Sequence, residues 1–193
     1  DEMARIYLML LLTLRGNPIL YQGEELGLPQ AQVPFSHLKD PEAIMNWPKT
    51  LGRDGARTPI PWQKSELNAG FSAGDPWLPV DPQHATLAVD QQQGNDSVLR
   101  FTKDALATRK RHEALLTGKM TYTDTGQPDA LIIHRALEGQ AVVAAFNFDN
   151  APISINDPAI ENGDLVLSSK PLKDNLLKTR SLPARTGDWI RAT

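Results

Sequence analysis

Apolar residues crowd the first fifteen positions on nearly every side: Ile6, Leu8, Met9, Leu10, Leu11, Leu12 and Leu14 leave little polar surface. That pattern, with good helix formers throughout, predicts a helix over Met3–Arg15 buried between other elements, with Gly16 placed to cap its end. Asn17-Pro18 stops the period, and Ile19-Leu20-Tyr21 up to Gly23 then reads as a short, fully buried parallel strand. From Glu24 to about Gln93 no long periodic segment occurs, and the density of proline excludes an extended helix or central strand. This stretch is expected to be a long loop region with short helices, ordered because it carries Phe35, Trp47, Trp62, Phe71 and Trp77. Two of the three tryptophans are expected in a small core within the loop.

Helical periodicity returns over Asn95–Leu116, with Val98, Phe101, Ala105 and Leu106 on one side and Arg100, Lys103, Lys110 and Arg111 forming a solvated face on the other. Beyond Gly118 the period changes to two. Leu131–His134, Ala141–Phe148, Ile153–Ile155 and Leu165–Leu167 are short strand-like runs separated by Gly, Asn, Asp and Pro, the pattern of an antiparallel β domain. The domain boundary is placed between residues 118 and 119.

Charge and composition exclude more than they identify. Twenty basic residues against 23 acidic ones give a formal charge of −3, no field to gather a phosphate backbone, so nucleic acid is not an expected partner. With no cysteine and four scattered histidines, neither a metal nor another cofactor is expected. The absence of cysteine suits a reducing cytoplasm, the expected compartment, and equally a periplasmic enzyme. Ile6–Leu14 is too short to span a bilayer, and Asp1 and Glu2 stand where a signal peptide is basic, so no membrane association is expected. Entry at Asp1 directly into an apolar helix suggests a start inside a domain.

Gly16-Asn17-Pro18-Ile19-Leu20-Tyr21-Gln22-Gly23-Glu24-Glu25-Leu26-Gly27 resembles the eighth-strand segment of α-glucosidases and oligo-1,6-glucosidases in the α-amylase superfamily, glycoside hydrolase family thirteen. Gly52-Arg53-Asp54-Gly55-Ala56-Arg57-Thr58-Pro59-Ile60-Pro61-Trp62 follows in family order, then Ala69-Gly70-Phe71 and Pro76-Trp77-Leu78-Pro79-Val80. The resemblance covers roughly Met3–Gly118; the β region after it is similar only in kind. It implies an α/β fold, the C-terminal part of a (β/α)8 barrel in residues 1–118, comprising seventh helix, eighth strand, long βα loop and eighth helix, followed by a small antiparallel all-β domain in residues 119–193.

Retaining glycoside hydrolysis needs two carboxyl groups flanking the anomeric carbon. In this family the nucleophile, the acid/base and a further aspartate come from earlier strands, and the Asn-His-Asp tripeptide that carries the last of them is absent from this sequence. All three are expected upstream of Asp1, in a missing N-terminal part of the barrel, so no residue here is assigned as catalytic. What the resemblance leaves to this chain is substrate binding. The resemblance places Arg53 beside the sugar at the cleavage site, where its guanidinium would suit bridging a sugar hydroxyl and a buried carboxylate. Arg57, Gln22 and Glu24 are further candidates, weighed against local ion pairs and hydrogen bonds that merely pin the loops. Glu24 and Glu25 leave a strand on opposite sides and cannot flank one glycosidic bond. The tryptophans are flat enough to stack on pyranose rings, with loop packing as the plainer role.

The activity implied is release of glucose from short oligosaccharides or disaccharides, with the 193 residues alone inactive. Sucrose-isomerising and glucosyl-transferring relatives carry similar loops. Non-catalytic, transporter-associated relatives and a carbohydrate-binding module complete the alternatives.

Overall fold

A computed structural model describes residues 2–50, 52–170 and 181–192. The chain forms two compact units: Asp1–Ile19 together with Phe101–Thr193, and Leu20–Arg100.

The first unit is built on a five-stranded antiparallel sheet. Helix α1 (Glu2–Thr13) opens the chain; after the second unit come α4 (Val98–Arg111), whose first turn begins in that unit, and α5 (Glu113–Thr117). Strands β1 (Lys119–Thr123), β2 (Ala130–Leu137) and β3 (Gln140–Asn147) then form a meander, while β5 (Asp164–Ser168) and β7 (Thr186–Ala192) complete the sheet in the order β1-β2-β3-β7-β5. A small pair, β4 (Ile153–Ser154) and β6 (Ser181–Leu182), and a helical turn α6 (Pro158–Glu161) lie beside it. The other two helices, α2 (Pro41–Asn46) and α3 (Pro82–Ala85), belong to the loop unit.

Both faces of the sheet are covered. Ile132, Val143, Ala145 and Ile190 join Ile153, Ile155, Ile160 and Leu182 in one cluster, whereas α1 packs on β3 and β7. Double coverage is why Val142–Asn147 is buried without interruption instead of alternating. The Trp189 ring lies fully buried, and its Nε1–H donates to Thr13 Oγ1 at 2.7 Å. Two buried arginines close the end of α1: Arg135 donates to Thr13 O at 2.6 Å, and Arg109 donates to Leu12 O at 2.7 Å and Gly16 O at 2.8 Å. The last carbonyls of a helix have no partner within it, and a guanidinium supplies both donors and favourable charge there.

Several expectations need correction. Residues 17–21 form no helix and no ladder, and Ile19 is 82% exposed, so the buried strand predicted at Ile19–Tyr21 is not formed within this chain. A strand exists only through hydrogen bonds to neighbours, and none of the described strands flanks it. The helix predicted over Asn95–Leu116 is two helices. His112 breaks it in an extended conformation, φ −114° and ψ 97°, with its Nδ1 against Thr108 O at 2.9 Å. Strands β1 and β7 were not foreseen, the latter because Gly187, Asp188 and Arg191 interrupt its apolar pattern.

The second unit contains short 3-10 turns and the six- and four-residue helices α2 and α3, as its prolines dictate. Its apolar cluster is Val33, Leu38, Ala43 and Leu78. Trp47, Trp62 and Trp77 are all exposed, which overturns the tryptophan core: tight turns bring small aliphatic residues together and leave the large rings outside. Among the described residues no helix is long and apolar enough to cross a membrane.

Candidate functional site

All four candidate residues line one cavity of about 610 Å³ in the loop unit. Gln22 and Glu24 come from the turn that ends the Asn-Pro segment; Arg53 and Arg57 come from either side of the 3-10 turn Asp54–Ala56. The volume is in the range of small-molecule sites.

Arg53 is the most elaborately held. Its Nε donates to Asp40 Oδ2 at 2.9 Å and its Nη2 to Asp40 Oδ1 at 2.6 Å, a side-on fork, and its backbone N–H donates to the same Oδ2 at 2.9 Å. The Asp40 side chain is fully buried while that of Arg53 is 64% exposed. Hydrogen bonds from the Arg53 guanidinium, then from the Arg53 N–H, hold the Asp40 carboxyl well below the usual carboxylate range against the opposing effect of burial. Asp40 in turn raises the proton affinity of Arg53. The same carboxylate caps α2 by accepting from Glu42 N.

Glycine makes this approach possible. Gly52 has φ +56°, and a Cβ there would sit 2.4 Å from Ala43 Cβ and 3.0 Å from Asp40 Oδ2. A Cβ on Gly55 would lie 2.4 Å from Ala31 O. Between them Asp54 is buried, its Oδ2 accepting from Lys39 N at 2.6 Å and Asp40 N at 2.8 Å. The loop is thus pinned by carboxylates to backbone amides, and Arg53 pairs with Asp40, not with its neighbour Asp54.

Gln22 Nε2 donates to Thr58 O at 3.2 Å. Behind it His84 is buried; its Nε2 donates to Pro29 O at 2.8 Å, and its Nδ1 lies 3.3 Å from the Thr58 hydroxyl. Glu24 Oε2 accepts from Tyr21 N at 3.0 Å and Glu25 Oε2 from Gly23 N at 2.8 Å, so both carboxylates fold back on their own turn. The pair stands on a 3-10 turn, Glu24–Leu26, where alternation along a strand does not apply. Half-buried Arg57 lines the same cavity and, with Gln22 and Thr58, a smaller adjoining one of about 180 Å³ that reaches Phe71 and Trp77.

Sequence reasoning missed Asp40 and His84. Asp40-Pro41 is a legible helix start, an N-cap residue followed by proline at N1. Nothing local reveals that the capping carboxylate grips an arginine thirteen residues later. Among the described residues no three acidic or histidine side chains gather as a metal site requires.

The sequence profile of the α-amylase catalytic domain matches residues 1–118. A probable α-glucosidase of Rhizobium meliloti (strain 1021) is 42% identical over 126 residues, 65% of this chain and 23% of that protein. An oligo-1,6-glucosidase of Parageobacillus thermoglucosidasius is 30% identical over 166 residues, 76% of this chain and 29% of that protein. Among solved structures, the α-glucosyl transfer enzyme XgtA is 37% identical with a TM-score of 0.84, covering 100% of this chain and 36% of its own. The trehalulose synthase MutB from Pseudomonas mesoacidophila MX-45, at 24% identity and a TM-score of 0.84, shares the fold over 100% of this chain and 38% of its own. The chain therefore spans about a quarter to two fifths of the length of these proteins. It belongs to the α-amylase catalytic-domain family, in the branch of the α-glucosidases and oligo-1,6-glucosidases.

Proposed function

We propose that this chain is the C-terminal portion of a retaining α-glucosidase that hydrolyses terminal α-glucosidic bonds of short oligosaccharides or disaccharides, acting in the cytoplasm. Residues 1–118 are the last part of its (β/α)8 barrel, with α1 as seventh helix, the segment at 19–21 as eighth strand and α4–α5 as eighth helix; residues 119–193 are the β domain. The exposure of Ile19 supports this assignment, since a central barrel strand finds its partners on neighbouring strands. The catalytic carboxylates belong to the remainder of the barrel, and this portion supplies the wall of the sugar pocket.

The observation that carries the reading is the convergence of Gln22, Glu24, Arg53 and Arg57 on one cavity, with Arg53 held by a buried carboxylate and its side chain largely exposed. In the full-length protein, hydrolysis of maltose or isomaltose is expected, and Arg53→Ala is expected to lower kcat/KM by at least about tenfold. No action on any α-glucoside, or a smaller loss in the variant, would sink it. Similarity to XgtA over the whole chain favours a second reading, glucosyl transfer. Product analysis with a sugar acceptor in excess separates the two: transfer yields longer glucosides, hydrolysis yields glucose.

A further inference from the structure

Arg53 carries five N–H donors, and Asp40 takes one from Nε and one from Nη2. Because Asp40 Oδ2 also accepts the Arg53 backbone N–H, one oxygen grips both ends of the residue and restricts how its side chain rotates. Asp40 itself is fixed by the first turn of α2 and packed under Gly52. The fork is therefore set before any ligand arrives, on a side chain that lines the cavity and is 64% exposed, with three of its five donors not taken by Asp40.

The pairing also decides the charge of the site. A lone arginine is a phosphate-binding group, since its planar fork matches an anion. Here the ionised side chains on the cavity wall are Arg53, Arg57 and Glu24, and Asp40 stands directly behind Arg53. With Asp40 counted, two arginines face two carboxylates and the cavity has no formal excess of positive charge. Asp54 and Glu42 add further negative potential at the same guanidinium. A neutral hydroxyl gains from oriented donors whatever the net charge, whereas a phosphate gains further as negative charge beside the arginines is removed.

We propose that Asp40 is a positioning and specificity-determining residue: it orients Arg53 toward a neutral sugar hydroxyl and, by compensating its charge, excludes phosphorylated sugars from the cavity. This deepens the proposed function and rests on the cavity being a sugar site.

The test uses the full-length protein, with glucose and glucose 6-phosphate as competing inhibitors of p-nitrophenyl α-glucoside hydrolysis. Wild type is expected to bind glucose in preference. In Asp40→Asn, which keeps an oxygen to cap α2, the ratio of the two inhibition constants is expected to move toward the phosphate by about tenfold, with glucose weaker and glucose 6-phosphate no weaker. In the Arg53→Ala background the same change is expected to leave the ratio where it was. A merely structural role shifts both inhibitors by one factor, and that result, or a ratio that moves without Arg53, overturns the inference. Should Asp40→Asn fail to fold, Arg53→Lys reads the contact from the other side: it keeps the compensated charge and loses the fork, so glucose weakens with no gain for glucose 6-phosphate, and a gain overturns the inference. A wild type inert toward α-glucosides defeats the proposed function itself, whereas an active wild type with both inhibitors shifted equally defeats only the role given to Asp40.

Discussion

The sheet unit and the loop unit solve the same problem with different materials. In the sheet unit, ladders satisfy the backbone and leave side chains free to form an apolar core, from Ile132 through Phe146 to Trp189. In the loop unit most backbone groups have no ladder, so side chains do that work: buried Asp40, Asp54, His84 and Gln92 all bind backbone atoms. Gln92 alone donates to Leu26 O and Leu87 O and accepts from Leu99 N. The difference teaches that buried polar side chains do different work in the two regions. Both regions bury apolar and polar residues together, but the buried polar groups of the loop serve turns whose irregular backbone demands partners, whereas Arg109 and Arg135 in the sheet unit serve the end of one helix.

Tryptophan gives the largest expected effect. Trp189→Ala removes a fully buried ring and its hydrogen bond to Thr13, with a cost of about 3–5 kcal/mol. Urea denaturation followed by far-ultraviolet dichroism measures it. A loss under about 1 kcal/mol would show that the sheet tolerates the cavity and that its core is not the source of its stability.

Asp188 is a buried carboxylate in the sheet and gives the next largest effect. Its carboxylate is buried on β7 with no hydrogen bond of regular geometry to either oxygen among the described residues, and burial pushes its pKa up to about 6, with the Ser168 hydroxyl close enough to oppose this only in part. A folded pKa above the unfolded 3.8 means that the folded state binds more protons between these values. Stability from this group is therefore lost as pH rises through about 6, and the cost levels off above it at roughly 3 kcal/mol at most. Asp188→Asn is expected to stabilise at pH 8 and to bring little gain near pH 4. A gain independent of pH would mean that packing, not charge, explains it.

How much was legible follows the same division. The short β-type runs at 131–134 and 141–148 coincide with β2 and, up to Asn147, with β3, because those strands make their ladders within this chain. The strand expected at Ile19–Tyr21 failed because its hydrogen bonds need partners that no described strand supplies. Arg53, Arg57, Gln22 and Glu24 were singled out by resemblance, and they line one cavity; Asp40 was not, since a contact between a helix cap and a glycine-flanked arginine leaves no periodic trace. The buried Arg109 and Arg135 were equally invisible, because a charged residue in a pattern reads as surface until a helix end is found waiting for it.

The smallest of the three effects probes the loop on its own terms. Asp54 accepts from Lys39 N and Asp40 N and touches nothing that a sheet would provide. Asp54→Ala leaves two amides in a buried setting without an acceptor, a cost of about 2 kcal/mol. Since the damage is confined to the turn those amides belong to, hydrogen exchange is the measurement of choice: Lys39 and Asp40 are expected to lose protection while amides of β2 and β3 keep theirs. Loss of protection throughout the sheet would instead show that the two units unfold together, and the division of labour between them would then describe only their construction and not their stability.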